Sequence, residues 1–190
     1  MMKKLDHGVN QLWPSPVYKT SITKEDCESL LTMCLESQNI ADPDGDATSN
    51  LIETSDLLKR LANEKFTEFF KEVYSIDLGN YNVLYKAWLT GSTNGYSMET
   101  HNHSGSPFVA VFYILSEHTE KGGELVITDP RTNANRGYTA DFMEQFSPLV
   151  FKPTTGDVII FPGFLYHHVR AYNSKLRIAI PVDLFFYNEN

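Results

Sequence analysis

Four of the six histidines fall in two short clusters, His101/His103 and His167/His168. Along a strand, residues i and i+2 face the same way, so His101 and His103 can project side by side, with Glu99 on that face too. Imidazoles so placed can both reach one metal ion at ~2 Å. The second cluster follows Phe161-Pro162-Gly163, a turn-like triplet at the end of an apolar run. An opposite strand of a β-barrel could bring a third ligand from there. A bare His-x-His on a strand is equally what a surface or hydrogen-bonded pair looks like, so the clusters alone leave both readings open.

Other chemistries find less support. Asp42, Asp44, Asp46 and Glu53 occupy positions 1, 3, 5 and 12 of an EF-hand-like spacing, but Ala47 stands where that loop needs glycine and Pro43 is awkward at position 2. A solvated, Asx-rich acidic loop is the plainer reading. No glycine-rich stretch leads into Lys-Ser/Thr, and there is no G-x-S-x-G elbow. Cys27 and Cys34 fall about two turns apart on one expected helix, too far for a bridge, which suits a reducing compartment.

The elements that must position the histidines divide the chain in two. With 190 residues, a net charge of −8 and 42% hydrophobic content, including 12 Phe and 10 Tyr, the chain suits one domain with a sizeable core. The acidic balance argues against duplex nucleic acid or anionic membrane as a partner, and no apolar stretch is long enough to serve as a signal core or membrane span. Leu12–Lys19, with two prolines among apolar residues, reads as an extended edge strap. Thr23 is the expected N-cap of a first helix, with Asp26 in the capping-box position. A second helix is expected from about Ser55 to Tyr74, with Leu57, Leu58, Leu61, Phe69 and Val73 forming its stripe.

From Tyr81 the texture changes to eight short strand-like runs: 81–89, 96–103, 108–115, 124–128, 149–151, 157–161, 167–170 and 177–186. With no helices between them, they indicate a sandwich, jelly roll or barrel. Thr132–Phe146 is long, polar and irregular, a candidate lid loop. The apolar run Val182–Tyr187 could pair with a second copy at a sheet edge.

The features also occur in a telling order. His-x-His at 101–103 is followed by FYIL at 112–115, GGEL at 122–125 and Pro153-x-x-Gly156-Asp157. FPGFLYHHV comes at 161–169, and Arg177 stands ten residues after His167. This order resembles the iron(II)/2-oxoglutarate-dependent oxygenases, the prolyl-hydroxylase-like group, and particularly those carried by tailed bacteriophages and marine bacteria. Trp13–Val17 stands where those chains have a proline-rich strap, and Ala87–Leu89 where they have a tryptophan strand.

The resemblance implies a mainly β fold: a double-stranded β-helix (jelly roll, cupin-like) with N-terminal α-helices packed on one sheet. It implies one oxygenase domain over 1–190, with 1–80 as strap and helical support and 81–190 as jelly-roll core. It implies Fe(II), with 2-oxoglutarate and O2 as co-substrates, and hydroxylation of an unidentified substrate with release of succinate and CO2. His101 and His167 would be metal ligands, and His168 would point elsewhere. Arg177 would fork onto the far carboxylate of 2-oxoglutarate, which its planar, permanently charged group matches. Tyr113 would add a hydroxyl there or line the pocket.

Two positions depart from the family's pattern. His103 stands where the superfamily has Asp or Glu, the carboxylate of the facial triad. Three readings stay open: His103 is itself a ligand in a three-histidine site, a carboxylate comes from Glu99 or Asp129, or the site binds metal poorly and the fold has been reused. Ala179 stands where many relatives have a serine. Without the resemblance, Arg177 reads as a surface charge, Tyr113 and Trp88 as core, and Gly122–Gly123 as a turn. The alternatives to the oxygenase are a non-enzymatic jelly-roll binding or structural protein, and a three-histidine cupin dioxygenase that does without 2-oxoglutarate. A cytoplasmic location is expected, in the host cytoplasm if phage-encoded.

Overall fold

The computed structural model describes residues 15–36, 50–93, 95–116, 122–131 and 148–187. Two helices precede most of the strands. A short strand β1 (Tyr18–Ser21) leads into α1 (Lys24–Glu36), and α2 spans Asp56–Tyr74. Strands β2 (Val83–Ala87), β3 (Thr90–Ser92), β4 (Tyr96–His101) and β5 (Phe108–Leu115) follow. Then come β6 (Leu125–Ile127), β7 (Leu149–Phe151), β8 (Asp157–Pro162), β9 (His167–Tyr172) and β10 (Arg177–Phe186).

The helix starts follow local chemistry. Thr23 Oγ1 accepts from Asp26 N at 3.1 Å, the expected N-cap bond, while the Asp26 carboxylate accepts from the Thr23 hydroxyl at 2.7 Å. Ser55 caps α2 by accepting from Leu58 N at 3.2 Å, a contribution of about 1 kcal/mol. The helix ends at Ser75, whose φ of 56° is left-handed.

All strand pairings among the described residues are antiparallel. One sheet runs β1-β8-β5-β10-β2, with β3 also paired to β10, and the other runs β4-β9-β6-β7. This is the double-stranded β-helix that the resemblance implied. The two cores lie on opposite faces of the larger sheet. Ala110, Phe112 and Ile114 of β5, Val158 and Ile160 of β8, and Ile178, Ile180, Val182 and Leu184 of β10 pack with Leu30, Leu58, Phe66 and Phe69 of the helices. Val109, Val111, Tyr113, Ile159, Phe161 and Ala179 face the smaller sheet instead, against Leu125, Ile127 and Val169. Central strands buried on both faces carry mostly apolar runs, which is why these three were readable in the sequence. Each buried Leu, Ile or Phe contributes about 1.5–3 kcal/mol.

Three differences from expectation have physical reasons. β3 (Thr-Gly-Ser) has no apolar signal; it forms because β10 is long enough to pair with β2 at one end and β3 at the other. The N-terminal edge strand begins at Tyr18, after Pro16, rather than including it. Val182–Tyr187 does not offer an edge: Val182–Phe186 pairs with β2, and β5 pairs with Val182–Leu184 on the other side. The outer strand there is β2. It is partly covered by Asn50, whose amide donates to Tyr85 O at 3.2 Å and accepts from Ala87 N at 2.9 Å, as a neighbouring strand would. Cys27 and Cys34 are both free and buried in α1. Burial pushes the Cys34 thiol up to about 12. The candidate lid 132–146 and Asp42, Asp44 and Asp46 of the acidic loop lie outside the described residues. No described helix is long and apolar enough to cross a membrane.

Candidate functional site

The two histidine clusters meet because β4 and β9 are neighbours and His101 lies directly across from His167 in their register. Their rings are 4.3 Å apart. His103 arrives differently from the alternation expected of a strand. β4 ends at His101, and His103 sits in the turn beyond it. Its N–H donates to Gly163 O at 2.8 Å, which ties the turn to the end of β8. Gly163 is indispensable there: a Cβ would stand 2.1 Å from Ser106 O. So tied, the His103 ring stacks on His167 at 5.1 Å with 8° between planes, and lies 5.7 Å from the Trp88 ring.

One nitrogen from each of His101, His103 and His167 lies within 4.8 Å of the others, a spacing that could hold a metal ion. The opposite ring nitrogens are engaged. His101 Nδ1 is 2.8 Å from Glu99 O and His167 Nδ1 is 2.9 Å from Leu165 O. A carbonyl only accepts, so each Nδ1 carries the proton and each Nε2 keeps a lone pair. His103 Nδ1 is 2.7 Å from Asp183 Oδ1. Burial lowers the pKa of His101, and pushes that of His167 down to about 3, with the neighbouring imidazoles adding to the effect. Both are neutral at pH 7, the form a metal binds.

Neither alternative carboxylate joins this group. Glu99 is exposed and offers its carbonyl to His101. Asp129 is taken by Arg131, whose Nε donates to its Oδ1 at 2.9 Å. His168 is not in the cluster; it lines a second, open hollow with Ser97, Thr100 and Arg170.

The cluster opens into a cavity of about 650 Å³ whose lining includes Trp88, Thr90, Met98, Tyr113 and Arg177. Arg177 begins β10 and is 3% exposed. Its guanidinium carbon is 5.1 Å from the Tyr113 ring centroid. Arg177 Nε and Tyr113 Oη are both buried without a hydrogen-bond partner among the described residues, and no described carboxylate pairs with Arg177. Burial pushes Tyr113 up to about 12, with Arg177 opposing, and pushes Arg177 down. A buried cation without an anion is costly, and the fork is suited to a carboxylate ligand.

Gly122 and Gly123 are more than a turn. Both have φ near +80° (83° and 80°), and Cβ atoms would stand 1.9 Å from Ala171 O and 2.9 Å from the Tyr172 ring. They let the chain lie close against β9, and a Cβ on Gly123 would also be 3.4 Å from Arg177 Cδ. Where the family has a serine, Ala179 accepts through its carbonyl from Thr90 Oγ1 across the sheet at 3.0 Å.

Sequence reasoning missed Asp183 and Thr90. Asp183 had a small signal: it is the single charged residue inside the apolar run 178–186.

The donor set suits the cofactors of the resembling family. Three clustered imidazoles suit iron(II), and the buried guanidinium in the same cavity, with no carboxylate partner among the described residues, suits 2-oxoglutarate. Solved structures share the fold at low identity. HygX from Streptomyces hygroscopicus, with nickel and 2-oxoglutarate bound, aligns with a TM-score of 0.63 at 13% identity, covering 90% of this chain and 81% of that one. The viral collagen prolyl hydroxylase of Paramecium Bursaria Chlorella virus-1, a 2-oxoglutarate complex, gives 0.62 at 13%, covering 88% and 94%. A Pseudomonas putida prolyl-4-hydroxylase gives 0.59 at 11%, covering 92% and 88%. No curated protein matches the sequence. A sequence profile does: it spans residues 86–183, from β2 through the histidines and Arg177 to Asp183, and by that match the chain belongs to the 2OG-Fe(II) oxygenase family.

Proposed function

We propose that the protein is an iron(II)- and 2-oxoglutarate-dependent dioxygenase that hydroxylates an unidentified substrate, releasing succinate and CO2. The family's metal is iron(II), and its co-substrates are 2-oxoglutarate and O2. The observation that carries the reading is one cavity lined by three clustered imidazoles and by a buried guanidinium that no carboxylate among the described residues pairs with.

In this reading His101, His103 and His167 hold the metal through Nε2. Hydrogen bonds from Nδ1 to Glu99 O and Leu165 O keep the His101 and His167 rings from turning, and Asp183 lies against His103 Nδ1. Arg177 binds the far carboxylate of 2-oxoglutarate, and Tyr113 donates its hydroxyl to the same group. Burial keeps that hydroxyl protonated and therefore a donor at pH 7. Trp88 and Met98 line the cavity with apolar surface. When bound, the iron supplies an open coordination position at which O2 is activated for oxidation of a C–H bond. The substrate is a protein side chain or a small molecule. We further propose that 1–190 acts as one domain, with the helices bracing the larger sheet from behind.

The test is turnover without knowing the substrate. Purified protein with iron(II), ascorbate, O2 and 2-oxoglutarate should form succinate slowly by uncoupled decarboxylation, and His101→Ala and Arg177→Met should not. Equal succinate from wild type and both variants would sink the reading. O2 consumption that is indifferent to 2-oxoglutarate would favour the cupin dioxygenase instead.

A further inference from the structure

Asp183 is a buried acid whose role the reading above leaves open. Its Oδ1 lies 2.7 Å from His103 Nδ1, with side-chain exposures of 12% for Asp183 and 5% for His103. The approach is an ion-pair contact rather than a well-aligned hydrogen bond: Oδ1 is a buried oxygen without a hydrogen-bond partner among the described residues, and no lysine or arginine among them pairs with the carboxylate. A bare lone pair on Nδ1 this close to a carboxylate oxygen would be repelled, so the 2.7 Å contact favours a proton on Nδ1. A proton there leaves Nε2 free to face His101 and His167.

The three histidines are therefore held in one tautomer by different means. His101 and His167 each use the carbonyl two residues earlier, a neutral acceptor. His103 alone uses an anion. A carbonyl fixes the tautomer; a carboxylate also draws on the shared proton and makes the ring a stronger donor to a cation. A buried carboxylate is costly unless paired, and the ring that touches Asp183 stands on the rim of the cluster that could hold a cation. His103 is also the position at which the family resemblance leads one to expect an acidic ligand.

We propose that Asp183 is a positioning residue of the metal site. It holds His103 as the Nδ1–H tautomer and supplies through the ring the negative charge that a directly bound carboxylate would otherwise supply. This rests on the reading of His101, His103 and His167 as metal ligands. β10 then serves both ends of the cavity from one face, with Arg177 near its start and Asp183 six residues on. The same alternation that buries Ile178, Ile180, Val182 and Leu184 against the helices turns both charges toward the site.

The test is metal affinity, read by calorimetry and by the visible absorption of cobalt(II), in a double-mutant cycle. Asp183→Asn preserves shape and an acceptor oxygen but removes the charge. It should keep the metal-free melting temperature, weaken cobalt(II) binding about 10–100-fold, and shift the cobalt absorption band. In a His103→Gln background the same change should alter affinity less than about threefold, because the charge then has no ring to act through. An affinity in Asp183→Asn within twofold of wild type, or equal losses in both backgrounds, would overturn the proposal while leaving the ligand reading intact. Failure of the wild type to bind cobalt(II) would overturn the ligand reading, and the proposal with it. Should Asp183→Asn melt early, histidine ring 15N shifts on metal-free wild type decide the matter. His103 protonated at Nδ1 is the expected result, and protonation at Nε2 contradicts it.

Discussion

The two faces of β10 have been put to opposite uses. One face presents Ile178, Ile180, Val182 and Leu184 to the helices, each fully buried in an apolar cluster. The other presents Arg177, Ala179 and Pro181 to the cavity and Asp183 to His103: a buried cation and a buried acid, the first without a carboxylate partner among the described residues and the second against an imidazole. The helix-side face gains stability from every residue. The cavity-side face gives stability up, because buried charges are costly until something neutralises them. A strand that needed only to hold the sheet together would have no use for the second face. The contrast teaches that the helices do more than cover a sheet: they anchor the one strand on which site charges can be mounted.

The sharpest way to break this contrast is to truncate each face in turn. Leu184→Ala should cost about 2–5 kcal/mol of folding stability, seen as a lower denaturation midpoint. Its metal and 2-oxoglutarate affinities should be unchanged in whatever fraction remains folded. Arg177→Met should do the reverse. Calorimetry should show 2-oxoglutarate binding weakened by about 2–5 kcal/mol, while the ligand-free protein melts at or above the wild-type temperature because an unpaired buried charge has gone. A metal-free Arg177→Met protein that melts several degrees lower would show that Arg177 belongs to the scaffold.

These charges were only partly legible in the chain. The central strands β5, β8 and β10 announced themselves as mostly apolar runs, and the helix caps at Thr23 and Ser55 are local chemistry that a short window contains. The histidine pairs stood out by composition. What brings them together is not local: His101 meets His167 through the β4–β9 register, and His103 is seated by Gly163, sixty residues away. Glu99 lines the same cavity as His101, but it is exposed and gives His101 its carbonyl. β3 is defined by its partner rather than by its own three residues. Arg177 needed the family resemblance to be singled out, since nothing near it in sequence says that it is buried. Asp183 was passed over for the opposite reason, as one polar residue in an apolar run.

Two smaller effects sharpen the comparison further. Gly123→Ala should strain a left-handed position and push toward Tyr172 and Arg177. It should lower the melting temperature by a few degrees, corresponding to about 1–3 kcal/mol, and weaken 2-oxoglutarate binding, since it lies where scaffold and site touch. Ile180→Val, on the helix side alone, should cost about 0.5–1.5 kcal/mol and leave every ligand affinity unchanged. If Ile180→Val altered cobalt(II) or 2-oxoglutarate affinity, the two faces would not be separable.

The central claim is that one cavity joins a three-histidine metal site to an arginine that holds 2-oxoglutarate. The most direct measurement is anaerobic thermal melting of metal-free protein with manganese(II), 2-oxoglutarate, or both, on wild type and Arg177→Met. A ligand at a hundred times its dissociation constant adds about 2.7 kcal/mol, several degrees for a chain of this size. The account predicts that the two together stabilise wild type more than the sum of each alone, and that Arg177→Met keeps the metal shift and loses the 2-oxoglutarate increment. Wild type that is indifferent to both ligands, or a 2-oxoglutarate increment that survives in Arg177→Met, would contradict it.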